Sequence, residues 1–573
     1  MAGMAIQSSV MRSLLAAALV AVTLGSGLLA CSGDIGEPET EGSPGSSSGG
    51  NPVAQAITPA PGGVRKLTGR QYVGSIRVLL GDTVAAVADD LVAHADPPIN
   101  AAVSGFDAIG AAQLSISPTH VDQFEQFAAK IADAAVSDPA ILKKLVPCAA
   151  TGPGDIECHK KFVTSFGRLA WRRPLTDDEV ALMTGVAHGA AIDEKVNDFN
   201  KGVYYALTAF LQSPYFLYIV ELGNDDAADP AKRRLTDLEL LSRMSFFILS
   251  RTPDPAMLDE VEKNKLDTDD KVRALAETFV KLPDAKAALE GFYAEIFRLR
   301  ELATDVTKNA TLFPTWSTAL GESMKEETLH LLDDIVWKRN TDARELFDAD
   351  YTYVDSNLAA LYGVSAPATP WTKVTLPAIQ RRAGFLGQAS FLARQSTATR
   401  TSATRRGLFI QSVLLCNEIP PPPVGVNTVL PENDPNKPMT LKQKLEQHEK
   451  DAQCGACHKR MDPVGFALEN FDAIGAFRTT DNGLPIDSTA TVEGIGSFDS
   501  AKALGAILRN DERGAVCMMK NLFRNSMGHL ETTGEKPALD ALDESFGKSE
   551  YKIQELLVDI AASPAFQLVG APK

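Results

Sequence analysis

Three stretches of this chain open with the same chemistry, and together they commit it to helices. Leu67-Thr-Gly-Arg-Gln71, Leu175-Thr-Asp-Asp-Glu179 and Leu235-Thr-Asp-Leu-Glu239 each put a threonine where a helix N-cap belongs and a Gln or Glu three residues on. In such a capping box the hydroxyl accepts from the N3 backbone, and the N3 side chain accepts from the N-cap backbone. The leucine before each threonine can staple onto Tyr72, Val180 or Leu240. Apolar residues then recur at helical spacing: Tyr72, Val73, Ile76, Leu79 and Leu80 after the first box, Leu241, Met244, Phe247 and Ile248 after the third. Leu258 to Leu302 and Ser317 to Trp337 also read as helical. A phrase beginning Ser213-Pro214 returns as Ser563-Pro564-Ala565-Phe566. Alternating patterns are scarce, with Trp371 to Leu376 and Ile486 to Val492 the best short strands. The pattern predicts a mainly α, multidomain body.

The N-terminus reads differently. Arg12 precedes an apolar run from Leu14 that ends Leu28-Leu29-Ala30-Cys31. A small residue followed by cysteine at the end of such a run predicts a lipoprotein signal peptide over residues 1–30, with Cys31 lipidated after cleavage. An ordinary signal peptide with a chance cysteine is the alternative. Residues 31–63 are rich in Gly, Ser, Pro and Glu and predict a disordered tether. The expected location is outside the cytoplasm, anchored to a membrane by lipid and facing the periplasm or cell surface. The helical body divides into 64–140, 160–225, 233–365, 378–480 and 494–568, with Pro420 to Pro423 a polyproline linker inside the fourth segment. A formal net charge of −17 argues against a nucleic-acid partner.

Near the C-terminal end stands Cys454-Gly-Ala-Cys-His458. C-x-x-C-H is an attachment pattern for c-type haem: two thiols add to two vinyl groups, and the adjacent imidazole binds iron. With 7 Cys and 8 His in 573 residues, the pattern is not a product of abundance. The chemistry predicts one covalent haem c, with Cys454 and Cys457 as thioether donors and His458 as the proximal ligand. The second ring nitrogen of His458 needs an acceptor, and a backbone carbonyl near Pro463 is within sequence reach. Phe466, Leu468 and Phe471 offer an apolar wall, and Arg460 or Arg478 a propionate partner. The sixth ligand stays open among His448, Met461, Met527 and His529. A thioether, a second imidazole or an open position would each set a different reactivity. The rival reading is a structural zinc on His448, Cys454, Cys457 and His458, with a plain disulfide as a further alternative. The remaining thiols, Cys148, Cys158, Cys416 and Cys517, suit an oxidising compartment. Cys148 with Cys158, and Cys416 with Cys517, is the preferred of three connectivities, and buried thiols are the alternative. No G-x-S-x-G elbow, Walker A loop or H-E-x-x-H helix is present.

The order of phrases resembles that of cytochrome-associated multidomain proteins abundant in planctomycetes and myxobacteria. The resemblance rests on Lys66-Leu-Thr-Gly-Arg-Gln-Tyr72, Trp171-Arg-Arg-Pro-Leu-Thr176, Gln212-Ser-Pro-Tyr-Phe216 and Met244-Ser-Phe-Phe-Ile-Leu-Ser250. It continues through Thr401-Ser-Ala-Thr-Arg-Arg-Gly407, the stretch from Cys454 to Asp472, and Asn521-Leu-Phe-Arg-Asn-Ser-Met-Gly-His529. It implies a cytochrome c-like haem-attachment segment near the C-terminus of an otherwise helical body, and it implies no reaction. It also implies that His448 is a recurring position, that the place of Met461 is open to Ile, and that His529 stands where relatives tend to carry Arg.

The expected function is that of an exported, membrane-anchored haem lipoprotein in electron transfer, with a redox protein as partner. Two alternatives stand beside it. One is a haem oxidoreductase with an open iron site, acting on an extracellular substrate. The other is a non-redox scaffold held by zinc or a disulfide.

Overall fold

The three capping boxes form. Thr68, Thr176 and Thr236 accept from the backbone three residues on, and the side chains of Gln71, Glu179 and Glu239 accept back from the threonine N–H. They open helices Gly69–Leu80, Asp177–Ala191 and Asp237–Ile248. The structure, a computed structural model, describes residues 57–572 except 97, 98, 100, 227, 228, 230, 422–435 and 451. The signal peptide, Cys31, most of the tether and much of the proline-rich linker lie outside the described residues. Among the described residues the body is mainly helical, with five small antiparallel sheets of two or three strands. No described helix is long and apolar enough to cross a membrane.

The long stretch from Leu258 to Leu302 is not one helix but part of three: Pro255–Lys263, Asp269–Val280 and Pro283–Ile296. Thr268 caps the second through its hydroxyl, and Pro283 stands at the start of the third, so local chemistry overrides the continuous apolar spacing. The Ser-Pro phrases fold alike. Ser213 and Ser563 each cap a short helix, Pro214–Leu217 and Pro564–Gln567, which runs directly into a strand. The first strand, Tyr218–Glu221, pairs antiparallel with Gly63–Lys66, and the second, Leu568–Gly570, pairs with Lys232–Arg234. The expected strands appear as Thr372–Thr375 and, within the second window, Ala490–Val492.

Residues 57–63, assigned to the tether for their Pro and Gly content, are fixed in place. Ile57 is buried in the main core, and the Thr58 N–H donates to Gly534 O at 2.9 Å. The Gly62 N–H donates to Gly570 O at 2.9 Å, and the Gly570 N–H to Ala60 O at 2.7 Å. Backbone pairing with the far end of the chain holds this segment, and composition does not report it. Nor does each of the five sequence segments own a core. Residues from Leu67 to Ile219, together with Phe246, form one apolar cluster. A second runs from Leu235 to Val569, unites the last three segments and takes in Ile57, Phe106 and Ile109 as well.

One buried charged cluster ties the first two segments to the third. Glu221 receives Arg65 at 3.0 Å and Arg243 at 2.8 Å, and all three side chains are buried. Burial would raise the Glu221 carboxyl, but the two guanidiniums win and hold it down at about 2. Two disulfides complete the frame. Cys148 joins Cys158 within the N-terminal half, and Cys416 joins Cys517 across 101 residues, linking the fourth segment to the last.

Candidate functional site

Cys454, Cys457 and His458 lie on one helix, Ala452–Phe466. Spacings of three and four residues place all three on the same face of it. Both cysteines stand outside the disulfides as half-buried thiols. Gly455, between them, is required by close approach: a Cβ there would meet the carbonyl of Glu449 at 2.5 Å. The preceding turn thus folds back against the first turn of the motif helix.

His458 is oriented from below. Its Nδ1 lies 2.8 Å from Oδ2 of Asp462, one turn on, and the Asp462 side chain is fully buried. The acceptor is therefore this carboxylate and not a backbone carbonyl near Pro463. The helix continues through Pro463, so residues 458 and 462 share a face. The Asp462 hydrogen bond raises the His458 imidazole above its ordinary range against partial burial. Among the described residues, buried Oδ1 of Asp462 has no hydrogen-bond partner, nor has Oε1 of Glu449. Burial first and then Asp462 raise the Glu449 carboxyl, while His458 opposes them. A histidine that gives Nδ1 to a carboxylate keeps Nε2 as its metal-binding nitrogen, in a fixed tautomer and orientation.

The four candidates for a sixth ligand part company here. His448 ends the helix Leu441–His448, and its ring meets that of His458 edge-on with centroids 4.8 Å apart. Two imidazoles on opposite sides of one metal, each bonded at about 2 Å, have centroids roughly 6 Å apart. The observed pair is too close to hold a macrocycle between its rings. Met461 is buried one turn along from His458 on the same helix, and one helix surface cannot serve both faces of a plane. Met527 is packed into the main core at the end of helix Glu512–Met527. His529 is held by Leu530 O at 2.9 Å and by Glu535 at 3.4 Å. The principal neighbours of the motif helix are instead helices Ala403–Phe409 and Leu441–His448 and strand Ala490–Val492.

The expected apolar wall is also committed elsewhere. Leu468 and Phe471 belong to the main core, and Phe466 packs with Ala403, Leu441 and Leu445. Arg478 pairs with Glu469 at 2.9 Å and Asp481 at 3.0 Å, so it has carboxylate partners already, while Arg460 is exposed. The zinc arrangement is not assembled: among the described residues no three His, Cys, Asp or Glu side chains are placed to hold a metal ion.

Arg406 holds the second half of the motif. Fully buried, it donates to Leu468 O at 2.7 Å, Phe471 O at 3.1 Å and Asp472 O at 2.9 Å. It also reaches Leu392 O at 3.3 Å and Ser396 Oγ at 3.1 Å, with Glu469 3.7 Å away. Two glycines let its helix lie against the motif helix. A Cβ on Gly407 would meet Met461 O at 1.9 Å, and one on Gly465 would meet Ala403 O at 2.0 Å. Sequence reasoning passed over Asp462 and Arg406. The signal for Asp462 was its place four residues after His458; nothing local marks Arg406, three of whose carbonyl partners lie 62 to 66 residues on.

Five family models match in series, each described as a protein of unknown function. They are DUF1587 over residues 65–137, DUF1595 over 158–221, DUF1592 over 235–364, DUF1588 over 382–481 and DUF1585 over 496–566. No curated protein and no solved structure matches the chain. The Cys-x-x-Cys-His helix falls within the fourth match and the Met527–His529 segment within the fifth. The five matches follow one another without overlap from residue 65 to residue 566, so the chain is similar to a series of domains of unknown function.

Proposed function

We propose that this protein carries one covalent haem c on Cys454 and Cys457, with His458 as proximal iron ligand, and transfers electrons outside the cytoplasm. The observation that carries the reading is the His458–Asp462 pair at 2.8 Å beneath two thiols on the same helix face. The donor set fits the group. Two thiols can each form one thioether, and Nε2 is the nitrogen left for the metal once Nδ1 is engaged. Bound there, a haem would supply one-electron redox chemistry. The chain's own part is to fix the His458 ring, to hold the Nδ1 proton against Asp462, and to keep both thiols half-exposed for attachment.

Export and lipid anchoring through Cys31 belong to the same proposal. The two disulfides favour an oxidising compartment. The partner would be a soluble or membrane-bound redox protein, and a net charge of −17 favours a cationic one. One observation favours the open-iron alternative. Met461 shares the His458 helix, Met527 and His529 are engaged elsewhere, and His448 stands too close. An iron bound as placed would keep a coordination position for an exogenous ligand.

The test is co-expression with a c-type maturation system, followed by absorption spectroscopy and intact mass. One haem of added mass and a reduced α-band, both lost in C454A/C457A, are expected. Protein matured alongside a control cytochrome yet lacking both signals would overturn the reading, and zinc would then be assayed. Cyanide binding to the ferric form separates an open position from two axial protein ligands.

A further inference from the structure

The two disulfides differ in what faces their sulfurs. Among the described residues, no nitrogen donor reaches either sulfur of Cys148–Cys158. Both sulfurs of Cys416–Cys517 have one. Nη1 of Arg524 lies 3.5 Å from Cys416 Sγ, and Nδ2 of Asn521 lies 3.6 Å from Cys517 Sγ. A bonded disulfide sulfur is a weak acceptor, whereas the thiolate left when the bond opens is a strong one. Donors aimed at this bridge therefore favour its opened form.

Both donors are held in place from behind. Arg524 gives Nε and Nη2 to Glu531 at 2.7 and 2.8 Å, which leaves Nη1 for Cys416 Sγ and for Asn521 Oδ1 at 3.2 Å. Lys520 reaches the same carboxylate at 3.2 Å, so two cations share Glu531 and the three groups together stay positive. Asn521 is buried, and its amide also donates to Val413 O at 3.0 Å. Arg524, Asn521 and Cys517 all come from helix Glu512–Met527, whose rigidity sets their spacing.

The two sulfurs are also unequal in access. Cys517 is fully buried, while Cys416 is half-buried in irregular chain just after the π-helical turn Ile410–Leu414. Cys416 has φ of 52°, a left-handed conformation that costs a residue with a Cβ, so opening the bridge frees a strained residue. A cavity of about 10 Å³ has Val413, Leu414, Met518 and Asn521 in its lining, which leaves room beside the bridge for the sulfurs to part. An accessible sulfur facing a cation, joined to a buried one, is the arrangement of an attacking and a resolving cysteine.

We propose that Cys416–Cys517 is a thiol–disulfide exchange centre whose substrate is a dithiol. One substrate thiol, deprotonated, attacks Cys416 Sγ, and the Sγ–Sγ bond breaks. Cys517 leaves as the thiolate and takes up a proton. The second substrate thiol loses its proton to solvent and attacks the substrate sulfur of the mixed disulfide, which expels Cys416 as the thiolate. Two electrons pass from the dithiol to the bridge, the substrate becomes a disulfide, and one proton is released overall. Arg524 makes Cys416 a good leaving group and stabilises the reduced centre, so the bridge is a stronger oxidant than a purely structural one. The centre is separate from Cys454 and Cys457 and does not depend on haem.

The experiment equilibrates the full-length C454A/C457A chain in glutathione buffers, traps the thiols by alkylation and reads each bridge by peptide mapping. The equilibrium constant for reducing Cys416–Cys517 should be about tenfold or more above that for Cys148–Cys158 in the same molecule. Glutathione caught as a mixed disulfide should sit on Cys416 and not on Cys517. Arg524→Gln should lower the Cys416–Cys517 constant about tenfold and leave Cys148–Cys158 unchanged, while Arg524→Lys should keep most of it. Were the bridge only structural, losing Arg524 would loosen its packing and ease reduction, the opposite sign. The comparison between the two bridges needs no variant at Arg524 to fold. A Cys416–Cys517 bridge as resistant as Cys148–Cys158, glutathione on Cys517, or an R524Q chain reduced as readily as its parent would overturn the proposal.

Discussion

One continuous phrase, Cys454 to Asp472, contains two regions of opposite character. Its first five residues present two half-buried thiols and a partly exposed imidazole. Its last eleven are almost wholly buried, and Arg406 pins their carbonyls from a separate helix. Asp462 lies at the join, buried itself while bonded to His458. The motif thus falls into two halves, the proposed haem-binding groups before residue 462 and a buried scaffold after it, and substitutions should separate them.

The largest effect should come from the scaffold. Arg406→Ala removes the donor from at least four carbonyls and takes one guanidinium from Glu469. A loss of about 3–5 kcal/mol is expected from breaking a buried, hydrogen-bonded charge, read as a lower denaturation midpoint and early proteolysis between residues 392 and 478. Retention of the wild-type midpoint would remove Arg406 from the scaffold. Next comes Gly407→Ala, whose Cβ would collide with Met461 O and push two helices apart; overpacking of this kind costs about 1–3 kcal/mol.

A third test extends the contrast to buried carboxylates with and without ion-paired guanidiniums. Glu327 is buried, accepts from Thr352 and Tyr362 at 2.7 Å each, and burial raises it to about 7. Its contribution is fully present below the unfolded value of about 4.3 and is lost as pH rises through about 7, by at most about 1.4 kcal/mol per pH unit. Glu221, held at about 2 by Arg243 and Arg65, behaves oppositely. Its contribution is present above about 4.3 and is lost as pH falls toward about 2. Denaturation midpoints of E327Q and E221Q across pH 3–8 should therefore flatten opposite ends of the profile.

At the join, under the proposed function, Asp462→Asn should leave haem attachment intact and raise the reduction potential. A neutral acceptor makes His458 a weaker donor and stabilises the ferric state less. An unchanged potential in a haem-loaded D462N protein would demote Asp462 to packing. Smallest in stability, C454A/C457A should change the apoprotein midpoint by no more than about 0.5 kcal/mol, because half-exposed thiols carry little of the fold. A large loss would mean that the first half of the motif is scaffold too.

The helical character was legible because capping chemistry is local: Thr68, Thr176 and Thr236 need only the residue three places on. The recurrence of Ser-Pro was visible too, and each copy builds the same capped turn into a strand. The thiols and His458 were legible as a spacing. The orientation of His458 was not, because Pro463 suggests a helix end and hides the one-turn relation to Asp462. Phe466, Leu468 and Phe471 misled for a related reason. Proximity in sequence to a Cys-x-x-Cys-His motif says nothing about which face a side chain takes: Leu468 and Phe471 face the main core, and Phe466 a smaller cluster with Ala403, Leu441 and Leu445. The long-range partners, Arg406 with residues 468–472 and Gly570 with Ala60 and Gly62, carry no local signal at all.

That last pairing bears on the order of events in the life of the chain. Strand Gly63–Lys66 can find Tyr218–Glu221 once some two hundred residues exist, but Ala60 and Gly62 must wait for Gly570. Arg243, too, has Phe566 O as a partner from the last stretch. A ribosome or a translocation channel delivering residues in order would release a body that stays unlatched until its final segment emerges. Closure of this kind waits on backbone pairings about 500 residues apart, the sort of contact that forms slowest in a folding chain.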